Sequence, residues 1–262
     1  MNVINLFSLH GRTALITGGT RGIGLMIARG YIAQGARVYI SSRKAEVGES
    51  VAKELGPNCV SLPADVSTID GCIDLMGRYA EREKALDILV NNAGATWGAP
   101  LDDFPENGWD KVLDLNLKSP FFLTQKALPL LRQSGAAGRP AKVINIASID
   151  GLQVNAWETY SYHASKAGLV HLTRRLAAQL APQHINVTAI APGAFASEMN
   201  RSARDHAGDV SKFIPAGRVG CAEDMAAAAI YLAARSGDYV VGSTLTVDGG
   251  VVDGQPVSKL DI

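Results

Sequence analysis

Thr13-Ala-Leu-Ile-Thr-Gly-Gly-Thr-Arg-Gly-Ile-Gly24 begins as a short apolar, β-branched run and passes without a spacer into glycines and then a helical pattern, Gly22–Gln34. A strand that breaks on glycines at the start of a helix reads as the first βα unit of an α/β sheet. Working outward, the same alternation recurs. Strand patterns lie at Arg37–Ser41, Cys59–Leu62, Ile88–Val90, Lys142–Ile146, Ile185–Ile190 and Leu245–Val247. Helical patterns lie at Ala45–Leu55, Ile69–Arg82, Gly108–Leu131, Thr159–Leu180 and Ala222–Ala234. Several strands are apolar on both faces, as strands covered by helices on both sides must be. Repeated βα units with right-handed crossovers predict a doubly wound, Rossmann-type parallel sheet of about seven strands with helices on both faces. At 262 residues and 47% hydrophobic, the chain suffices for one sizeable core and is short for two, so residues 1–262 read as a single domain. Gly135–Pro140 reads as a surface turn, and residues 194–215, with the weakest pattern, as a substrate loop.

In such a sheet the ligand crevice lies beyond the carboxyl ends of the strands. The spacing Gly18-x-x-x-Gly22-x-Gly24 at a helix start leaves backbone N–H groups facing a pyrophosphate, with Gly18, Thr20, Arg21, Gly22, Ile23 and Gly24 forming the cradle. Three glycines alone also fit a plain strand-to-helix turn; their place after the first strand favours a dinucleotide. A site choosing NAD usually puts an acid at the end of the second strand. Here that strand runs out in Ser41-Ser42-Arg43-Lys44, and the first acid is Glu46, inside the next helix. Ser42 with Arg43 and Arg21 suits a 2′-phosphate, because guanidinium matches phosphate oxygens geometrically. NADP(H) is therefore the expected cofactor; the alternative is that Arg43 and Lys44 simply start a solvated helix.

The totals exclude several classes. Lys+Arg 25 against Asp+Glu 25 gives no net charge and no basic excess, so neither nucleic acid nor a membrane surface is an expected partner. The longest apolar run, Met225–Ala234, is roughly half of the ~20 residues that a spanning helix needs. Cys59, Cys72 and Cys221 are far apart, which fits a reducing compartment. With no signal-peptide pattern in the first twelve residues, a cytoplasmic location is expected. The five histidines show no metal-ligand spacing, so no metal is expected.

Lys142–Ile146 leads to Ser148, and fourteen residues later Tyr162-His-Ala-Ser-Lys166 opens a helical run. Tyrosine and lysine at i and i+4 share one helix face. A free phenol has a pKa of ~10, too high for acid–base work near neutrality, and a nearby ammonium is expected to lower it. Tyr162 can then protonate an alkoxide as hydride arrives, with Ser148 holding the same oxygen. Tyr160 has the wrong spacing to Lys166 and reads as packing or pocket wall.

With these motifs in place, the sequence resembles the classical short-chain dehydrogenase/reductase family over nearly its whole length. The carriers are Thr17–Gly24, Asp65-Val66, Asn91–Gly94, Asn116, Ser148, Tyr162, Lys166 and Pro192-Gly193. The resemblance implies a catalytic tetrad of Asn116, Ser148, Tyr162 and Lys166. It implies that Asp65 and Val66 border the adenine, that Asn92, Ala93 and Gly94 line the adenosine side, and that Lys166 also holds the nicotinamide ribose. After Pro192-Gly193, Phe195 and Ser197 stand where the family has an apolar residue and a threonine that fix the carboxamide. The family also uses the Asn116 carbonyl to hold a water that links the lysine to solvent. Pro120 has no N–H to bond that carbonyl, so it either keeps the carbonyl open or merely starts a new helical segment after Ser119.

Within the family the chain resembles 3-oxoacyl-[acyl-carrier-protein] reductases, especially the rhamnolipid-biosynthesis type, through Ala95–Ala99, Gly108-Trp109, Lys142–Ser148, His184–Pro192 and Gly217–Gly220. Ala222 replaces a proline common at that helix start. Trp97, Ile149, Leu152, Val154, Trp157, Phe195, Met199 and Phe213 are candidate pocket residues, and an acyl chain suits them. The reading is NADPH-dependent reduction of a ketone, a 3-oxoacyl thioester first, with acyl carrier protein as a candidate partner at Arg132, Arg139, Arg174 or Arg175. The alternatives are a dehydrogenase of a sugar, polyol, steroid or xenobiotic carbonyl, and a non-enzymatic NADP sensor or scaffold. The resemblance implies a homotetramer built on the helices at Gly108–Leu131 and Thr159–Leu180 with the C-terminal region.

Overall fold

The computed structural model describes residues 3–254; the end of the predicted domain, residues 255–262, and with it the tail assigned to the tetramer, lies outside them. Seven parallel strands form one sheet: β1 Thr13–Thr17, β2 Arg37–Ser41, β3 Cys59–Ser61, β4 Ile88–Asn91, β5 Ala141–Ile146, β6 Ile185–Pro192 and β7 Thr244–Val247. Their order is β3-β2-β1-β4-β5-β6-β7. The chain reverses direction across the sheet between β1 and β4, which opens a crevice at their carboxyl ends. The helices are α1 Gly22–Ala33, α2 Ala45–Leu55, α3 Ile69–Ala80, α4 Glu106–Leu113, α5 Ser119–Ser134, α6 Tyr160–Leu180, α7 Arg201–Asp205, α8 Ala207–Ser211 and α9 Ala222–Ala233.

Strand side chains alternate between two cores, as period two requires. Ala14, Ile16, Val38, Ile40, Ile88 and Val90 pack on one face with Ile27 and Tyr31 of α1 and Met225 and Ala229 of α9. Leu15, Tyr39, Leu89 and Val143 pack on the other with Leu75 and Tyr79 of α3, Leu123 and Leu131 of α5, and Leu180 of α6. Asn91 and Asn145 sit inside this apolar sheet and answer each other: Asn91 Nδ2 donates to Asn145 Oδ1 at 2.8 Å, and Asn145 Nδ2 to Thr173 Oγ1 at 2.9 Å. Buried amides need such partners, and these tie β4, β5 and α6 together beneath the crevice.

Three sequence expectations are sharpened. The helix expected at Gly108–Leu131 runs unbroken from Glu106 to Ser134, with α4 and α5 joined by a π-helical turn over Asp114–Lys118. Pro120 lies in the first turn of α5, directly after the π-helical turn, where it has no N–H to give to a carbonyl of that turn. The loop 194–215 carries two short helices, α7 and α8. Finally, α9 starts at Ala222 without a proline, because the Asp224 carboxylate accepts the Cys221 N–H at 2.9 Å.

Candidate functional site

The glycine loop is shaped by what its glycines leave out. Gly18 and Gly22 have φ of +63° and +52°, in the left-handed region. A Cβ on Gly24 would lie 2.3 Å from the Gly18 carbonyl oxygen, and one on Gly22 would lie 3.3 Å from Ser197 Cβ. The loop is braced from outside: Gly18 N–H donates to the Ser41 carbonyl at 2.7 Å, and Asn92 Nδ2 donates to the carbonyls of Thr17 at 2.8 Å and Gly18 at 3.1 Å. Thr17 Oγ1 accepts the N–H groups of Asn92 and Ala93, both at 3.0 Å. The Asn92 side chain is thus already engaged in holding the loop. At the head of α1, Arg21 makes no side-chain cap. An open, glycine-lined helix start of this kind fits a pyrophosphate, with Thr20 and Ile23 completing the turn.

Beside it, past the end of β2, Ser42 is half-buried and Arg43 exposed. Among the described residues neither Arg43 nor Arg21 has an ion-pair partner within 4.0 Å. Beyond β3, Val66 is buried and the Asp65 carboxylate accepts from the Ser67 hydroxyl at 2.7 Å and its N–H at 3.1 Å. Desolvation pushes that carboxyl up, but the Ser67 bonds and nearby Arg43 bring it net below the ordinary range.

The second constellation gathers at the ends of β4 and β5. Ser148, 7% exposed, follows β5 directly. One face of α6 carries Tyr162 and Lys166, with Lys166 Nζ 5.5 Å from the phenol ring centre. Lys166 is buried and its ammonium donates to the Ile146 carbonyl at 2.7 Å. Asn116, in the π-turn, is fixed through its side chain: Oδ1 accepts the Ala95 N–H at 2.8 Å, and Nδ2 donates to the Ala95 carbonyl at 2.9 Å and to Ser165 Oγ at 3.1 Å. A π-turn is rare and recurs at functional sites. Gly94 closes the group, since a Cβ there would lie 3.3 Å from Asn116 Oδ1 and 3.8 Å from Lys166 Nζ.

The charge balance differs from the sequence expectation. The Tyr162 phenol is pushed up to about 12, by burial first and by the Asp150 charge, against a lowering hydrogen bond with Ser148. Lys166 does not bring it down here, because its ammonium is turned to the Ile146 carbonyl and is itself pushed down to about 8 by burial, which Asp150 opposes. Asp150, two residues past Ser148, carries no sequence signal of its own, and neither does Ser165, although each lies within two residues of a motif position.

Past β6, Pro192 ends the strand and Gly193 lies against Asp248, with its N–H on the Val247 carbonyl at 3.0 Å. Phe195 is not on the exposed rim: the residue is 3% exposed and its ring packs on Gly220 within the core. Ser197 accepts the Asn200 N–H at 3.0 Å beside Gly22. Val154, Trp157 and Phe213 are 89%, 70% and 79% exposed on the loops after β5 and β6, and Leu152 and Met199 on the same loops are also exposed. Trp97 instead packs on Gly108 under the Lys111 ammonium, and Tyr160 stacks edge-on with Phe104. Two proposed docking arginines sit at the far end of the sheet, Arg139 on Asp87 at 3.0 Å and Arg132 on Gln183 at 2.9 Å.

Known proteins share this arrangement. The short chain dehydrogenase family pattern matches residues 12–208. A rhamnolipids biosynthesis 3-oxoacyl-[acyl-carrier-protein] reductase of Pseudomonas aeruginosa is 47% identical over 249 residues, 93% of this chain and 97% of that protein. A 2-dehydro-3-deoxy-D-gluconate 5-dehydrogenase of Dickeya dadantii is 38% identical over 253 residues, 95% of this chain and 98% of that protein. The structure of the Pseudomonas aeruginosa RhlG/NADP active-site complex superimposes with a TM-score of 0.91 at 46% identity, covering 94% of this chain and 98% of that one. With its seven-stranded parallel sheet, glycine cradle and shared sequence, the chain belongs to the short-chain dehydrogenase/reductase family and is an oxidoreductase.

Proposed function

We propose that this protein reduces 3-oxoacyl thioesters to 3-hydroxyacyl thioesters. The observation that carries the substrate class is the apolar rim: Leu152, Val154, Trp157, Met199 and Phe213 hold their side chains in water on the two loops that follow β5 and β6. Exposed apolar surface is costly, and on loops beyond the carboxyl ends of the strands it suits an acyl chain better than a polyol. The cofactor is NADP(H), in keeping with Arg43 and Arg21, which have no ion pair among the described residues, and with the absence of an acid at the end of β2.

Gly18, Thr20, Arg21, Gly22, Ile23 and Gly24 hold the pyrophosphate; Ser42 and Arg43 take the 2′-phosphate; Asp65, Val66, Asn92, Ala93 and Gly94 border the adenosine; and Pro192, Gly193, Phe195 and Ser197 flank the nicotinamide through the backbone and the serine hydroxyl. When bound, NADPH supplies the hydride. Ser148 donates a hydrogen bond to the ketone oxygen, and Tyr162 passes its proton to that oxygen as negative charge develops. Lys166 holds the ribose and stabilises the phenolate left behind. Asn116 fixes the Ala95 backbone beside them. The loop 194–215 closes over the acyl chain, and the enzyme works as a cytoplasmic homotetramer with acyl carrier protein or CoA bearing the substrate.

A second reading, a sugar-acid or polyol dehydrogenase, is favoured by the 38% identity to the Dickeya dadantii gluconate-type enzyme. A kinetic panel separates them. Acetoacetyl-CoA and longer 3-oxoacyl thioesters are assayed with NADPH, against gluconates and sorbitol with NADP. A kcat/KM that rises with acyl length supports the thioester; turnover confined to the sugars overturns it.

A further inference from the structure

Asp150 lies in the turn Ile149–Gly151 that follows Ser148, and two contacts fix that turn. The Asp150 N–H donates to Ser148 Oγ at 3.2 Å. Gly151 is pressed so closely on α6 that a Cβ would lie 2.6 Å from the Lys166 carbonyl carbon. The carboxyl is half-buried, and one oxygen accepts from Asn155 Nδ2 at 2.8 Å. Asn155 in turn takes the Trp157 N–H at 2.8 Å, so the acid is strapped to the apolar rim. Among the described residues the bond from Asn155 is the side-chain hydrogen bond the carboxylate makes, and it has no ion pair within 4.0 Å. The titratable groups it faces are Tyr162, His163 and Lys166, all on α6. β6, which also packs on the turn, brings none, and Glu158 of the same loop is turned to the Tyr160 hydroxyl.

A half-buried carboxylate with no ion pair at contact distance is costly, so its placement beside these groups calls for a use. We propose that Asp150 is a positioning residue for proton transfer, a fixed carboxylate that keeps the proton on Tyr162 and the charge on Lys166, so that the free site is set for reduction. The sign follows from Coulomb's law, since a negative neighbour disfavours phenolate and favours ammonium. Burial and Asp150 act together on the phenol, while on Lys166 Asp150 counters burial. The inference rests on Tyr162 and Lys166 as the proton-transfer pair and is independent of which ketone is reduced.

Asp150→Asn keeps an acceptor for Asn155 and removes the charge. NADPH affinity, followed by fluorescence titration across pH, and kcat/KM for acetoacetyl-CoA reduction are compared with the parent enzyme. Both alkaline midpoints are expected to move to lower pH by roughly half a unit or more, the effect of one partly screened charge. Asn155→Ala removes the strap and keeps the charge, so its midpoints stay. Asp150→Ala is read in the same way should the asparagine variant fail to fold. Unmoved midpoints on loss of the charge, or equal movement in Asn155→Ala, overturn the proposal. Tyr162→Phe separates the two readings: it should lower kcat roughly 100- to 10,000-fold, the share of a general acid. A Tyr162→Phe enzyme that still reduces ketone refutes the Tyr162 assignment itself, whereas an inactive one beside unmoved Asp150→Asn midpoints refutes only the role of Asp150.

Discussion

Lys166 pairs a buried ammonium with a phenol that keeps its proton, and the two values, about 8 and about 12, place the titration that matters on the lysine. Its proton is held less tightly than usual because burial penalises the charge. The group is therefore charged on the acid side of about 8 and neutral above it. If that charge holds the ribose, NADPH affinity is flat on the acid side and weakens as pH rises through about 8, whereas Lys166→Met binds more weakly with no such inflection. Isothermal titration at several pH values reads both. Arg43 makes a separate claim. Arg43→Ala should weaken NADPH by about tenfold or more, the worth of a charge-assisted hydrogen bond, and leave NADH unchanged. Equal loss for both cofactors would mean that Arg43 serves only the local fold.

At the scale of elements, what the sequence announced depended on how local the cause was. The strand β1, the glycine turn and the face of α6 bearing Tyr162 and Lys166 follow from spacing within a few residues, and all were legible. The π-turn at Asp114–Lys118 was not, because it alters the helical repeat without changing composition, and Pro120 was its only trace. The helices α7 and α8 are five residues each, too short for a 3.6-residue period to show. Asp150 escaped because its neighbours on α6 are close in space and twelve or more positions away in sequence. The burial of Phe195 depends on Gly220, equally remote. The glycine loop offers the sharpest test at this scale. A Cβ at position 24 meets the Gly18 carbonyl at 2.3 Å and Asn92 Nδ2 at 2.5 Å, and the backbone oxygen cannot step aside without moving the loop. Gly24→Ala should cost about 1–3 kcal/mol of stability and at least roughly tenfold in NADPH affinity. Unchanged affinity by the same titration would show that the loop tolerates displacement and is no close-fitting cradle.

Across the whole molecule, the two ends of the sheet do different work. The candidate site occupies the carboxyl ends of the strands, while a buried charge cluster closes the amino ends. Asp87, 5% exposed, accepts from Ser134 Oγ at 2.6 Å and the Thr13 N–H at 2.9 Å, and faces Arg139 at 3.0 Å and Arg12 at 3.5 Å. Arg12 is 8% exposed and also donates to the Pro140 carbonyl at 3.2 Å. Burial, then Arg139, push its guanidinium below the ordinary range, and Asp87 and Asp238 oppose that shift. Asp87 thus joins the starts of β1, β4 and β5 through one carboxylate. Asp87→Ala leaves Arg12 buried without its main counter-charge, a change that typically costs about 3–5 kcal/mol. Against a total of roughly 5–15 kcal/mol for a domain, that is a large share. The urea midpoint should fall sharply with the slope preserved. Asp87→Asn, which retains acceptors for Ser134 or Thr13, should lose less. Because the cluster lies at the far end from the loops after β4, β5 and β6, kcat/KM of the folded Asp87→Ala enzyme should match the parent. A loss of turnover at an unchanged urea midpoint would refute this division of the sheet and tie the amino-end cluster to the chemistry.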